Sequence, residues 1–439
     1  MPTVAERLRQ LFEHLRIDRA HVAARLPRDW DELVRVYPKM VSSLTLLAPG
    51  GVSPAMMREI GSRLLVVHGD QGPAAAGVRA AVGQIAGARL VTLRDYGVIG
   101  WTDLVAERAA DITSALTTFV AEHDPPDGPK VPADVAREGE VAGISYRIRG
   151  AGSPLVLLPL FLSPSQWEPI IPALSKRYAT ITLGGRFLGP VALLESRGRS
   201  AGYRRLLRTL VDETGIRAGE TILEVGSGSG AVARWLASYT ERRNRIVGID
   251  VNRYLLREAT ILAADAELGD VVEFREGSAE AIPFPDKAFD LAMSITVIEE
   301  AHADRMLAEM ARVTKPGGRV AVISRSLDLP FAMNVALDAA LKSKLDVPGL
   351  IGQVESHGCA DATLYRRLGR AGLAPVALYP FMVTFDASEP DWLRFIEDQL
   401  VTRLTADEAG AWRAARAQAE ADGTFFIGFP HHCAIGTKP

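Results

Sequence analysis

A chain of 439 residues is long enough for two or three domains with separate cores, and a hydrophobic share of 48% is too high for a disordered chain. Fifty basic against 53 acidic residues leave a net charge of −3, spread without a basic block, which disfavours DNA and RNA as partners. Cys359 and Cys433 are too few and too far apart for a disulfide framework, and the longest apolar run, 154–162, is about half of what a membrane span requires, so a cytoplasmic protein is expected.

Residues 1–16 carry Val4, Leu8, Leu11, Phe12 and Leu15 at helical spacing. Glu6 and Glu13 among the arginines argue for an amphipathic surface helix, because a transit peptide avoids acids. Strand-like runs at 41–48, 63–68 and 89–93 alternate with helical stretches in an α/β pattern. The prolines of 123–132 forbid helix continuation and supply too few donors for a sheet ladder, so a linker is expected there. Runs at 143–149, 155–158 and 179–183 resume the pattern. Gly, Arg and Ser accumulate from 184 to 202 as a second seam, before the helical pattern of 203–214.

These segments resemble the α/β-hydrolase family in a rearranged order: 41–120 looks like that fold's late strands and 143–183 like its early ones. The resemblance puts Gly72 where the family has its triad acid and Val98 where it has its triad histidine. A Gly-x-Ser-x-Gly elbow is missing, since Gly228 stands at the centre of 226–230. A hydrolase needs a nucleophile beside a base and an orienting acid. The first half is therefore expected to be a non-catalytic remnant that packs, dimerises or helps to bind substrate.

The chemistry-bearing run is Glu220-Thr-Ile-Leu-Glu-Val-Gly-Ser-Gly-Ser-Gly-Ala-Val-Ala-Arg-Trp-Leu236, a short apolar strand that turns through three glycines into a helix. Glycines allow the turn and let a ligand lie against the backbone, while the free N–H groups of the helix start face it. The next strand, 245–250, ends in Asp250, roughly 20 residues on, where a carboxylate can accept both hydroxyls of a ribose. That pattern serves NAD or S-adenosylmethionine equally.

Three further features separate the two. Glu224 stands two residues before Gly226, giving a Glu-x-Gly-x-Gly-x-Gly form; 274–290 holds Gly-Ser-Ala-Glu-Ala-Ile-Pro-Phe-Pro before a strand; and 310–320 carries Thr-Lys-Pro-Gly-Gly-Arg-Val. Together they resemble class I methyltransferases, closest to the group that includes the ubiquinone and menaquinone biosynthesis enzymes. The resemblance covers about 203–327 and implies a C-terminal Rossmann-like, seven-stranded α/β domain. It further implies S-adenosylmethionine as cofactor and a small molecule as methyl acceptor.

Carried over position by position, the resemblance lays Gly226, Ser227, Gly228 and Gly230 against the methionine and ribose of the cofactor. Glu224 would meet its amino group, Asp250 its ribose, Val251 and the pair Ser278 and Ala279 its adenine, and Ser294 and Ile295 the transferring methyl. Ser278 departs from the Asp that the family often has there. Tyr203 stands where related enzymes place an aromatic over the cofactor, or is a core tyrosine.

Methyl transfer from a sulfonium is an in-line displacement, so alignment and exclusion of water come first, and only an oxygen or carbon acceptor needs a base. Glu299, Glu300 and His302, after the fourth strand, are the candidate bases. The acids can instead stabilise the N-terminus of a helix over 303–313. His357 and Cys359, and His431, His432 and Cys433, are read as surface or core residues, and no metal site is expected. Phe381, Phe385, Trp392 and Phe395 either line an apolar pocket or form a helix core.

The expected organisation is a hydrolase-like fragment at 1–122, a linker at 123–138, a second such fragment at 139–200 and a methyltransferase domain at 201–439 with helical insertions at 329–361 and 382–422. The competing functions are a non-catalytic S-adenosylmethionine-binding scaffold and, with less support, an NAD-dependent oxidoreductase, for which no nicotinamide site is visible. The oligomeric state is not legible in the sequence.

Overall fold

Each half of the chain builds its own sheet. In a computed structural model that describes residues 2–72, 74–98, 102–125, 127–349, 354–401 and 404–439, the chain divides into two units, residues 1–192 and 193–439.

In the first unit the strands are β1 (Ala20–Ala24), β2 (Val41–Leu47), β3 (Leu64–Gln71), β4 (Arg89–Gly97), β5 (Glu138–Val141), β6 (Ile144–Arg149), β7 (Ser153–Leu157) and β8 (Tyr178–Gly184). They form one sheet in the order β4-β3-β2-β1-β7-β8-β6-β5, parallel except where β6 pairs with β8 and β5 with β6. All five residues of β1 and of β7 are buried, as expected for parallel strands covered on both faces. Leu8, Leu11 and Phe12 of the helix Val4–His14 pack with Trp30 and Leu33 of the helix Pro27–Val36 in one core, and Ile112, Leu116 and Phe119 of the helix Ala109–His123 fill the other. The first helix starts with a capping box between Thr3 and Glu6. On β1 and β2, His21 Nδ1 and Ser43 Oγ meet across the strands at 2.8 Å.

Gly72, just past β3, has a positive φ of 92°, and a β-carbon there would lie 3.6 Å from the carbonyl oxygen of Val98, just past β4. Gly72 and Val98 are therefore neighbours, the one without a side chain and the other with an apolar one.

In the second unit the strands are β9 (Thr221–Val225), β10 (Arg245–Asp250), β11 (Val272–Glu276), β12 (Phe289–Ile295), β13 (Thr314–Arg325), β14 (Ala332–Met333), β15 (Ala374–Asp386) and β16 (Phe426–Thr437). The order is β11-β10-β9-β12-β13-β16-β14, with β15 on β16; β9 to β13 are parallel, and β16 is antiparallel to β13, β14 and β15. This is a Rossmann-like methyltransferase fold with one strand more than the seven expected. The two-residue β14 is the addition, and it pairs with Ile427 and Gly428 at the start of β16.

The helix Ala201–Thr214 begins at a Ser200 cap and ends at Gly215 in the left-handed region, and it buries Tyr203, Leu206, Leu207 and Leu210. It shares a core with the helix Ala231–Tyr239 and with Trp412 of the helix Ala406–Ala421, while the helices Ala303–Val313 and Thr363–Arg370 contribute to a second core. The region 329–361 holds β14 and the helix Ala339–Leu345, with 350–353 outside the described residues. Phe381 and Phe385 lie on β15, so they do not belong to a helix core. Phe385 packs against Trp392 and Phe429 at ring distances of 5.4 and 5.9 Å, and the side chain of Phe395 is outside the description. Among the described residues no helix is long and apolar enough to cross a membrane.

Candidate functional site

The chain runs from β9 to β10 on one side and from its other neighbour β12 to β13 in the opposite direction, which opens a crevice at the carboxyl ends of β9 and β12. The Gly226–Gly230 turn occupies that crevice. It is anchored by the N–H groups of Gly226 and Ser227, which both donate to Ile249 O, at 2.8 and 2.9 Å. Gly226 and Gly230 have φ of 75° and 72°, and a β-carbon would run into Val297 at the first and into the Phe274 ring at the second. Only glycine keeps the turn open at these two positions.

A cavity lies above this turn, lined by Tyr203, Glu224, Gly226, Ser227, Gly228 and Ile295 among the residues singled out from the sequence. Two polar atoms on its wall, Glu224 Oε2 and Ser227 Oγ, are buried without a hydrogen-bond partner among the described residues. Burial, reinforced by the nearby Asp250 carboxylate, pushes the Glu224 carboxyl up to about 8. Asp250 ends β10, and its Oδ2 accepts the Gly228 N–H and its Oδ1 the Asn252 N–H, each at 2.8 Å. Burial raises its pKa as well, against those bonds. With these bonds and one from the Val251 backbone, the carboxylate keeps acceptor capacity for a ligand hydroxyl.

Ser278 and Ala279 follow β11. The neighbouring Gly277 N–H donates to Asp250 O at 3.0 Å, which ties this loop to the end of β10, and Ser278 Oγ accepts the Glu280 N–H at 3.1 Å. Val251 is half-buried beside Asp250. Ser294 is fully buried on β12 and its hydroxyl donates to Val225 O at 2.9 Å, a bond inside the sheet.

Past β12 the charged groups are arranged differently from a helix cap. The helix Ala303–Val313 has Asp304 in its first turn, whereas Glu299 and Glu300 precede it and face Arg325 at the end of β13. Glu299 is fully buried; its Oε1 accepts the Arg325 backbone N–H and lies 3.3 Å from Arg325 Nε, while its Oε2 has no partner among the described residues. Glu300 accepts from the same guanidinium at 3.1 Å, and burial, opposed by Arg325, moves its carboxyl up to about 7. His302 stacks on His357 at 4.9 Å, its backbone N–H bound to Glu280. His431 on β16 is buried and its imidazole is held down to about 3 by burial, with Arg197 and Arg325 adding to the effect. His432 bridges Asp328 and the Tyr365 hydroxyl at 2.7 and 2.8 Å. Among the described residues no group of three or more His, Cys, Asp or Glu is placed to hold a metal ion.

The remaining cavity lining includes Leu194, Arg197 and Gly198, which belong to the segment read from sequence as a Gly- and Arg-rich seam. Glu195 fixes this segment over the glycine turn: it accepts from Ser229 Oγ at 2.7 Å and from Arg234 at 2.6 Å through each oxygen. No motif marks these residues, and only the fold brings them to the site.

The methyltransferase-domain family matches residues 223–322, the stretch from β9 to β13 that carries the turn, Asp250 and the Glu299–Glu300 pair. The ubiquinone/menaquinone biosynthesis C-methyltransferase UbiE of Hahella chejuensis is 31% identical over 175 residues, 39% of this chain and 68% of its own length. The chain belongs to the class I methyltransferase family. The Escherichia coli O139:H28 enzyme of the same name is 29% identical over 194 residues, 44% of this chain and 73% of the relative. Among solved structures, the [4+2]-cyclase SpnF aligns with 55% of this chain and 84% of its own, at 24% identity and a TM-score of 0.36.

As a member of this family the chain is an enzyme that uses S-adenosylmethionine, and the groups that line the cradle match that cofactor in kind. Glu224 Oε2 offers a buried acceptor for an ammonium, the glycine turn leaves the backbone open, and Asp250 ends its strand with a carboxylate that can accept the hydroxyls of a ribose. When bound, the cofactor supplies an electrophilic methyl group on a sulfonium.

Proposed function

We propose that the chain transfers this methyl group to a small, largely apolar molecule that presents a carbon or oxygen nucleophile, with Glu300 as the group that takes the proton. The observation that carries the reading is the Glu299–Arg325–Glu300 cluster past the carboxyl end of β12, with Glu299 buried, Arg325 and Glu300 half-buried, and the Glu300 carboxyl at about 7. A base poised near neutrality is half ionised where the enzyme works, which suits proton removal from an acidic hydroxyl or enol. Glu299 holds Arg325, Arg325 holds Glu300, and His302 lies two residues further on as the alternative base. The C-methyltransferase names of the relatives support a carbon acceptor, and Phe331, Phe385 and Phe429, packed edge to face, form a largely buried aromatic cluster in this unit.

In the same reading Tyr203, Glu224, Gly226, Ser227, Gly228 and Gly230 surround the amino-acid and ribose parts of the cofactor, Asp250 and Val251 the ribose and adenine, Ser278 and Ala279 the adenine edge, and Ser294 and Ile295 the methyl side. The test is a calorimetric titration with S-adenosylmethionine, S-adenosylhomocysteine and NAD. Binding of the two adenosyl ligands, weakened roughly 10-fold or more in Asp250→Ala, is expected. NAD binding alone would overturn the reading, and tight adenosyl binding with no turnover of any phenol, enol or quinol acceptor would favour a scaffold.

For the first unit, residues 1–192, we propose a rearranged, triad-less α/β-hydrolase-like region, divided as 1–122, the linker 123–138 and a second fragment from 139. The sequence reading runs that fragment to 200 and the methyltransferase domain over 201–439, whereas 193–200 pack with the second unit. Renumbered from β5, the strands of the first unit run 1-2-4-3-5-6-7-8 with the second antiparallel, so the early-like and late-like segments share one sheet, joined where β7 pairs with β1. The expected outcome is that a serine-directed fluorophosphonate probe leaves the protein unlabelled. Stoichiometric labelling would restore a hydrolase. Both cysteines are free and buried, which supports a cytoplasmic setting.

A further inference from the structure

The cofactor cradle has two charged residues on its wall, Glu224 and Arg197. The guanidinium of Arg197 lies 4.9 Å from the centroid of the Tyr203 ring and donates through one terminal nitrogen to Thr296 Oγ1 at 3.2 Å. Its Nε is buried without a partner among the described residues, and its charge acts on Glu224 and Glu300 through space. Thr296 is itself unusual, a β-branched residue with φ of 57°, a conformation that such side chains rarely adopt. The cation is therefore fixed in direction from two sides, by an aromatic face and by a strained hydroxyl, while an N–H of the fork stays unused.

An amino-acid zwitterion needs a buried acceptor for its ammonium and a planar donor fork for its carboxylate. Glu224, with its free Oε2, supplies the first. We propose that Arg197 supplies the second: it binds the α-carboxylate of the methionine part of S-adenosylmethionine, and it makes the site selective for adenosyl ligands that carry an intact amino-acid tail. The proposal rests on the reading of the cradle as the cofactor site. It gives the seam segment a role in that site, since Glu195, two residues before Arg197, locks the segment onto Ser229 and Arg234.

The experiment is calorimetric titration of the full chain and of Arg197→Met with S-adenosylhomocysteine and with its decarboxylated analogue, which keeps the amine and loses the carboxylate. The native protein is expected to prefer S-adenosylhomocysteine by roughly 10–100-fold, the range for a charge-assisted hydrogen bond. Arg197→Met is expected to lose that preference and to bind the decarboxylated analogue as the native protein does, which also shows that it is folded. Arg197→Lys, which keeps the charge without the fork, is expected to lose a smaller part. Equal weakening of both ligands in Arg197→Met, or unchanged affinity for S-adenosylhomocysteine, would overturn the proposal alone. Failure of the native protein to bind either ligand would overturn the cradle assignment and the proposal together.

Discussion

Glu224 is the residue whose environment departs furthest from what its position in a motif would suggest. With its carboxyl at about 8, it is largely protonated at pH 7 in the free protein, and an ammonium placed at Oε2 would draw it back to the ionised form. Cofactor binding at pH 7 is therefore expected to release up to about one proton, seen as a binding enthalpy that changes with the ionisation enthalpy of the buffer. Glu224→Gln should abolish that buffer dependence and weaken binding roughly 10-fold. A native enthalpy that is the same in every buffer would remove Glu224 from the ammonium site. Gly226 tests the shape of the cradle. Gly226→Ala puts a methyl into Val297 at φ of 75°, and it is expected to destabilise the second unit by about 1–3 kcal/mol in chemical denaturation and to impair adenosyl binding.

At the level of elements, what the sequence discloses depends on how local the cause is. The strand, glycine turn and helix of 220–236 are legible because residues adjacent in the chain perform one task, and Asp250 follows at the end of the next strand. β1 is not legible, because Ala-His-Val-Ala-Ala has one β-branched residue and owes its strand to burial between β2 and β7. The segment carrying Leu194, Glu195 and Arg197 reads as a seam, because its partners Ser229, Arg234 and Thr296 lie 34 to 99 residues away. Likewise, nothing near Glu299 in sequence announces Arg325. The Glu195–Arg234 pair, with both side chains 12% exposed, can be tested as the clasp of this segment. Glu195→Gln and Arg234→Met are each expected to lower unfolding free energy by about 1–3 kcal/mol and to weaken S-adenosylhomocysteine binding several-fold. The double variant should lose less than the sum of the two. Additive losses would show that the two residues do not act together.

Across the whole molecule, buried ionisable groups set a pH dependence whose sign follows from which protonation state the fold favours. Burial lowers His21 in the first unit to about 4 and His431 in the second to about 3, so their neutral forms stabilise the folded state above the ordinary histidine value, and that contribution is lost as pH falls. Burial raises Asp29 in the first unit to about 7, and Glu300 and Glu224 in the second to about 7 and 8. Each of these carboxyls holds its proton in the folded chain after the unfolded chain has released it. Their contribution is complete below the ordinary carboxylate range and is lost as pH rises through 7 to 8. Up to about pH 7.5 the two sets oppose one another, with the three carboxyls outweighing the two half-titrated histidines from about pH 6.5 on, and above that only the carboxyls act. The thermal midpoint of the free protein is therefore expected to fall from pH 6.5 to 8. Saturating S-adenosylhomocysteine should flatten the fall, because the ionised Glu224 then has a partner, and Glu224→Gln should flatten it without ligand. Asp29→Asn should reduce the slope in the first unit and leave the effect of the ligand unchanged. A midpoint that holds steady or rises over this interval would mean that these carboxyls are already ionised in the free fold, and the proton release on binding predicted for Glu224 would have to be abandoned with it.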